Sequence, residues 1–158
     1  MVQINSFGAK KISDIQVFEY ADTLSLPVDL SKFRNSHIGD VVQVGGLLGV
    51  LVTEIAPSAQ DQAKLGQDPL WNPLSKPTWG NNGPGYASVR ISGGVFKLQV
   101  ILTDAGVEPG APIYAKLAAN GKMELTNNKD TGTAGLVGYA YSKVSSTGAQ
   151  TVPVILAR

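Results

Sequence analysis

Few residues of this sequence have the types and spacing that catalysis requires. His37 is the only histidine, the chain contains no cysteine, and His37 lies in a polar segment beside Arg34 and Asp40. Only an imidazole would titrate near neutral pH here, and no thiol is present for it to activate. We therefore expect His37 to be a hydrogen-bonding side chain at the surface rather than a general base.

Other signatures of catalysis and of cofactor binding are missing from the sequence. The glycine-rich segment GGLLG at residues 45–49 lacks the Lys-Ser/Thr pair of a phosphate-binding loop. The sequence has no G-x-S-x-G nucleophile motif and no D-x-D-x-D calcium loop. Its carboxylates are dispersed and not paired as in glycosidases. These patterns predict a protein that is not an enzyme and that uses neither a cofactor nor a metal.

The aromatic residues of one long segment are better candidates for binding. Residues 56–86 contain five of the nine prolines and both tryptophans, Trp71 and Trp79. A loop of this length inside a compact domain is usually functional or a contact surface. The two tryptophans either fold back to cap an open end of the core or anchor a protein interface. With Tyr86 and the asparagines at 81–82 they could also form a platform for a sugar.

Residues 1–34 are predicted to form an extended amino-terminal arm. Within it the segment IQVFEYADT alternates so that Phe18 and Tyr20 share one face, which is typical of a strand. An arm of this kind either returns to cover the barrel or reaches a neighbouring subunit. Phe18 and Tyr20 are therefore candidates for an intersubunit contact, with ordinary core packing as the alternative.

Length and composition limit the class of protein. A chain of 158 residues suits one domain with a core, and 43% hydrophobic against 16% charged residues indicates a folded chain. A net charge of +1 with scattered lysines gives no basic face for nucleic acid. No apolar run reaches the roughly 20 residues that span a bilayer, and the amino terminus lacks a signal-peptide core. We expect a soluble protein made in the cytoplasm.

The stretch at residues 39–52, GDVVQVGGLLGVLV, is predicted to organise the fold. Its apolar residues run without alternation, which is typical of strands covered on both faces, and its glycines disfavour a helix. We predict two strands that meet at Gly45 and Gly46. With 18 glycines, 9 prolines and frequent Val, Ile and Thr, the chain is predicted to be all-β. We expect a small β-barrel or sandwich over residues 35–158, with residues 56–86 as an inserted loop.

Further elements follow from turn chemistry and from the face pattern of apolar residues. Residues 87–102 predict a hairpin around Gly93 and Gly94 with Val89 opposite Leu98. Residues 107–126 predict a second hairpin with a three-residue loop, Leu117 opposite Met123 and Gly121 in the left-handed conformation. A short helix is predicted at residues 58–66, and two final strands at 135–144 and 151–158.

The order of several short motifs resembles that of a known family. These motifs are GDVV at 39–42, GVFKL at 94–98, GAPIY at 110–114, GLVGY at 135–139 and VPVIL at 152–156. In this order they are similar to the capsid cement, or head decoration, proteins of tailed bacteriophages. The resemblance covers residues 35–55 and 87–158, and the 56–86 insertion is longer than is typical of that family.

The resemblance implies a non-enzymatic virion protein on the outer face of the matured icosahedral capsid. Its expected partners are the major capsid protein and further copies of itself in a homotrimer, with neither nucleic acid nor membrane bound. Phe18, Tyr20, Trp71 and Trp79 are then the candidates for contact with the capsid or between subunits. The alternative is a carbohydrate-binding or adhesion module of a virion, in which the aromatic residues of the 56–86 loop contact a glycan.

Overall fold

The computed structural model describes residues 23–70 and 78–157, and these residues form nine strands and two short helices. In chain order the elements are β1 (Thr23–Pro27), α1 (Leu30–Phe33), β2 (Val41–Val44), β3 (Leu47–Leu51), α2 (Ala59–Leu65), β4 (Tyr86–Arg90), β5 (Val95–Leu102), β6 (Pro112–Leu117), β7 (Met123–Thr126), β8 (Gly135–Ala140) and β9 (Gly148–Leu156). The predicted all-β class is confirmed.

The first four strands form an antiparallel sheet in the order β1-β4-β3-β2. The predicted strand pair of residues 39–52 is confirmed as the β2–β3 hairpin, with Val41 opposite Val50 and the chain turning at Gly45 and Gly46. Gly45 has φ +59°, a left-handed conformation that glycine adopts without steric cost. Of the predicted arm, residues 23–34 contain β1, which pairs along its length with β4, and α1. Residues 1–22 lie outside the described part.

The other five strands close into a barrel in the order β5-β7-β6-β8-β9, with β9 returning to pair with β5. A closed barrel leaves no free edge strand to attract other chains. Neighbouring strands are antiparallel except β5 and β7, which pair in parallel where Val100 lies opposite Leu125. The predicted final strands correspond to β8 and β9, which pair with each other. Of the two predicted architectures, the barrel is present, and the four-stranded sheet packs beside it.

The predicted hairpin over residues 87–102 is wrong in its pairing. Both strands exist and each buries the predicted face, but β4 pairs with β1 and β3, whereas β5 pairs with β9 and β7. Gly93 and Gly94 both have positive φ, at +71° and +75°, and the chain passes there from the sheet into the barrel. Alternation specifies which face of a strand is buried, but it does not specify the neighbouring strand.

The predicted hairpin at residues 107–126 is confirmed as β6–β7. Leu117 lies opposite Met123 and Ala115 opposite Leu125, as the three-residue loop requires. Gly121 has φ +80°, so it occupies the predicted left-handed position.

The predicted helix at residues 58–66 is confirmed as α2 within the 56–86 segment. The Ser58 side chain accepts a hydrogen bond from the Asp61 amide at 3.2 Å, and Gly66 ends the helix. Ser58 thereby satisfies one of the amide groups that lack a partner in the first turn of a helix.

Two clusters of buried apolar side chains form the core, and the β2–β3 hairpin contributes to both. Val41 and Val50 belong to the cluster that fills the barrel. Val42 and Leu51 belong to the cluster between the sheet, α1 and the chain after β3. Because both faces of the hairpin are buried, its sequence shows no alternation of apolar and polar residues. In the described part of the chain, no helix is long and apolar enough to cross a membrane.

Candidate interaction sites

Of the four aromatic residues predicted to make contacts, Phe18, Tyr20 and Trp71 lie outside the described residues. Trp79 is half-buried in the turn that precedes β4. This turn lies beside the end of the β3 segment, because the Glu54 amide donates to the Thr78 carbonyl at 3.1 Å. The structure therefore places one of the four candidates, and it places it next to the sheet rather than next to the barrel strands.

Asn82 connects the turn of Trp79 to the sheet. Its side-chain Nδ2 lies 2.7 Å from the Trp79 carbonyl oxygen, 3.2 Å from Thr53 Oγ1 and 3.1 Å from Ser88 Oγ. Its Oδ1 accepts from Ser25 Oγ at 2.5 Å. The Asn82 amide is thus engaged on both of its atoms inside the chain. The sequence made this amide a candidate polar group for a sugar platform, but its hydrogen bonds are made within the chain.

His37 makes the hydrogen bond that the sequence predicts, and its partner is Glu54. His37 Nδ1 lies 3.0 Å from Glu54 Oε2, with side chains 67% and 29% exposed. Glu54 Oε1 lies 3.4 Å from the Ile38 amide, so both carboxylate oxygens face the 37–38 segment. The His37 amide in turn donates to Asp40 Oδ2 at 2.9 Å. These contacts fix the position of the Glu54 carboxylate.

A groove of about 680 Å³ opens beside this pair. Its walls come from the end of α1, from the chain after β3 and from the first turn of α2. Its apolar lining consists of Leu30, Ile55 and Pro57, and its polar lining of Arg34, Ser36, His37, Glu54, Ser58 and Asp61. The groove therefore combines an apolar surface with hydrogen-bond donors and acceptors.

The exterior of the barrel carries a row of apolar side chains that the sequence does not predict. Val95 on β5 lies opposite Ile155 on β9, Ile155 lies opposite Tyr139 on β8, and Tyr139 lies opposite Pro112 on β6. Directly opposed residues share one face of a sheet, so the four side chains form a continuous line, here called the barrel row. Val95, Ile155 and Tyr139 are 48%, 39% and 41% exposed.

The surroundings of the barrel row extend its apolar surface. Tyr141 and Leu136 lie on or next to β8 and are also exposed. On β5 the charged side chain beside the row is Lys97, two positions after Val95. The row itself contains no charge. Contiguous exposed apolar surface of this kind often marks an interaction site.

The described residues contain no group of three or more His, Cys, Asp or Glu side chains that could hold a metal ion. Comparisons of the chain with known protein families, with curated proteins and with solved structures found no match.

Proposed function

We propose that this protein is a head decoration protein of a tailed bacteriophage. It binds the outside of the mature icosahedral capsid, contacts the major capsid protein and stabilises the shell as a homotrimer. It acts by binding and not as an enzyme. The barrel row is the observation that carries this proposal.

The barrel row links the proposal to the sequence motifs on which the resemblance rests. Four of those motifs correspond to β5, β6, β8 and β9 or to the turns that lead into them. Each of the four supplies one member of the row, namely Val95, Pro112, Tyr139 and Ile155. The motifs therefore do more than form a barrel, because together they produce one exposed apolar surface. Such a surface is suited to contact with another protein.

The physical requirements of capsid decoration agree with this surface. Apolar contacts gain free energy when they leave water, and they do so without the salt dependence of charge pairs. A trimer that makes several weak contacts at once binds far more tightly than one subunit does. A protein that binds only the expanded lattice stabilises that state by mass action. A modest exposed row that is repeated in each subunit therefore supports the proposal.

Binding to heads tests the proposal directly. Purified protein is mixed with expanded, undecorated heads and with unexpanded procapsids, and the bound fraction is measured by sedimentation. We expect binding to expanded heads, and light scattering with size-exclusion chromatography should show a trimer in solution or on the heads. The absence of co-sedimentation with expanded heads would refute the proposal.

A pair of variants tests the barrel row in the same assay. Tyr139→Ala removes an aromatic ring from the row, and Gln99→Ala removes an exposed polar side chain from the outer face of β5. An aromatic side chain buries roughly 200 Å². With Tyr139 41% exposed, about 80 Å² remain to be covered, or about 2 kcal/mol per contact. We expect Tyr139→Ala to weaken binding by about 30-fold per site and Gln99→Ala to leave it unchanged. Equal binding by the two variants would exclude the row as the contact surface.

A further inference from the structure

We infer that the groove beside His37 and Glu54 binds a neutral sugar ring. This site differs from the aromatic platform expected in the 56–86 loop. The inference is independent of the decoration proposal, because the groove is built from α1, α2 and the chain after β3, whereas the barrel row lies on β5, β6, β8 and β9.

The size and the lining of the groove support a small polar ligand. Its volume of about 680 Å³ lies within the range of small-molecule sites, which is roughly 300–1,000 Å³. Leu30, Ile55 and Pro57 offer an apolar surface on which the C–H face of a sugar ring can lie. Donors and acceptors border this surface, so hydroxyl groups at the edge of the ring find partners of both kinds.

The charges of the groove favour a neutral ligand over an ionic one. Its lining contains one cation, Arg34, and two anions, Glu54 and Asp61. A phosphate or carboxylate would meet the two anions, and an ammonium group would meet the guanidinium. A hydroxyl group both donates and accepts a hydrogen bond, so it can pair with either kind of charged group in the lining without bringing a charge of its own. Sugars carry such groups on adjacent carbon atoms.

Glu54 and Arg34 are suited to different parts of this task. The Glu54 carboxylate is held by His37 and the Ile38 amide and remains 29% exposed, so it is an acceptor fixed in place. Holding a binding group before the ligand arrives lowers the entropic cost of binding. Arg34 is exposed at the mouth of the groove and offers donors. Asp61 contributes less, because its carboxylate already accepts from Ser58 Oγ at 2.9 Å.

Ser36 is a second indication that the groove accommodates a polar group. The residue is 3% exposed, it lines the groove, and its hydroxyl has no hydrogen-bond partner among the described residues. An unsatisfied buried hydroxyl costs about 1–3 kcal/mol. A ligand hydroxyl that reached this wall would supply the missing partner.

The experiment is a titration of the isotope-labelled full chain with single sugars, followed by amide chemical shifts. The probes are methyl glucoside, methyl galactoside, methyl mannoside and N-acetylglucosamine, with acetate and phosphate as ionic comparisons. We expect at least one sugar to shift the amides of residues 34–37 and 54–58, with a Kd on the order of 1–10 mM, because an open groove makes few contacts with one ring. Acetate and phosphate should shift them less.

Three variants decide whether the lining residues bind the sugar. Arg34→Ala and Glu54→Gln each should raise the Kd about tenfold, since each changes a charged group that makes hydrogen bonds to the ligand. Lys32→Ala is the matched control, because it removes one positive charge two positions before Arg34, and Lys32 does not line this groove. This variant should leave the Kd unchanged. The inference fails if no sugar shifts these amides, if both test variants bind as the parent does, or if the anions bind more tightly than the sugars. Failure here leaves binding to heads unaffected, so the two proposals are tested separately.

Discussion

Replacement of Gly49 by alanine should destabilise the whole protein through a single methyl group. A Cβ atom at this position would lie 2.5 Å from Val89 Cγ1 and 2.6 Å from the Arg90 carbonyl oxygen. Gly49 belongs to β3, and both of these atoms belong to β4, the neighbouring strand. The φ of Gly49 is not in the left-handed region, so the expected effect is steric and does not come from backbone strain.

The loss of stability depends on which atoms of β4 would have to move to make room for the methyl group. Contacts below 3.0 Å with a carbonyl oxygen are relieved only when the β3 and β4 backbones separate, because the oxygen belongs to the main chain. That separation would disturb the pairs Val50–Arg90 and Leu51–Val89, which join the two strands. Overpacking typically costs about 1–3 kcal/mol, and a main-chain obstacle places this variant at about 3 kcal/mol. For a protein of this size the melting temperature should fall by roughly 6–12 °C.

Gly46→Ala is the matched control for this measurement. Gly46 lies in the turn of the same hairpin, and a methyl group there would have no neighbouring heavy atom within 4 Å. Gly46 also does not have a positive φ. Urea denaturation and thermal unfolding of both variants, followed by circular dichroism, should show a large loss of stability for Gly49→Ala and almost none for Gly46→Ala. If both variants are equally stable, the close approach of β3 and β4 does not require glycine, and the reasoning is refuted.

Two further predictions concern polar groups. Asn82→Ala should lower the free energy of unfolding by about 1–3 kcal/mol, because it removes the hydrogen-bond partner of the Ser88 hydroxyl and one of the two partners of the Thr53 hydroxyl. Urea denaturation should show no such loss for Asn81→Ala, since Asn81 is exposed. The hydrogen bond from the Ser31 side chain holds the pKa of the Asp29 carboxyl below its ordinary value of 3.8, and the hydrogen bond from the Ser31 amide makes a smaller contribution in the same direction. The stabilisation from Asp29 should therefore be present above pH 3.8 and be lost as the pH falls through the lowered pKa; an NMR titration in which Ser31→Ala leaves that pKa unchanged would contradict this.

The local elements of the fold could be predicted because nearby residues determine them. The cap of α2 depends on Ser58 and on a residue three positions later. The register of β6 and β7 depends on one choice of loop length, and only one choice keeps Leu117 and Met123 on a common face. In both cases the residues that determine the structure lie within a few positions of one another.

The pairing of β4 and β5 could not be predicted in the same way. Gly93 and Gly94 have the two positive φ values that a two-residue hairpin turn requires, yet the strands on either side enter different sheets. Ile91 is buried with the sheet cluster and Leu98 with the barrel cluster. The strands that pair with β4 and β5 lie far from them in sequence. The two glycines are compatible both with a hairpin and with a crossing from the sheet to the barrel, so the turn residues alone do not determine the pairing.

The two candidate surfaces illustrate the same limit at the level of function. The sequence places Val95, Tyr139 and Ile155 in predicted strands. It does not predict that β5, β9 and β8 are neighbours, which is a consequence of barrel closure. Likewise His37 and Glu54 lie 17 residues apart, and they meet because the β2–β3 hairpin returns the chain to the same place. The residues of each surface can be recognised as neighbours only when the strand order of the fold is known.

The β2–β3 hairpin explains why this chain contains a glycine-rich apolar stretch without chemistry of its own. Val41 and Val50 form part of the barrel core, and Val42 and Leu51 form part of the sheet core, so the hairpin is a wall shared by both. Because each face of the hairpin packs against a core, both faces must be apolar, and the sequence therefore shows no alternation. Where β4 approaches, there is no space for a side chain on β3, and position 49 therefore requires glycine. The same hairpin returns Glu54 to His37. Its sequence is therefore explained by packing on both faces, and the surfaces proposed to bind partners lie outside it.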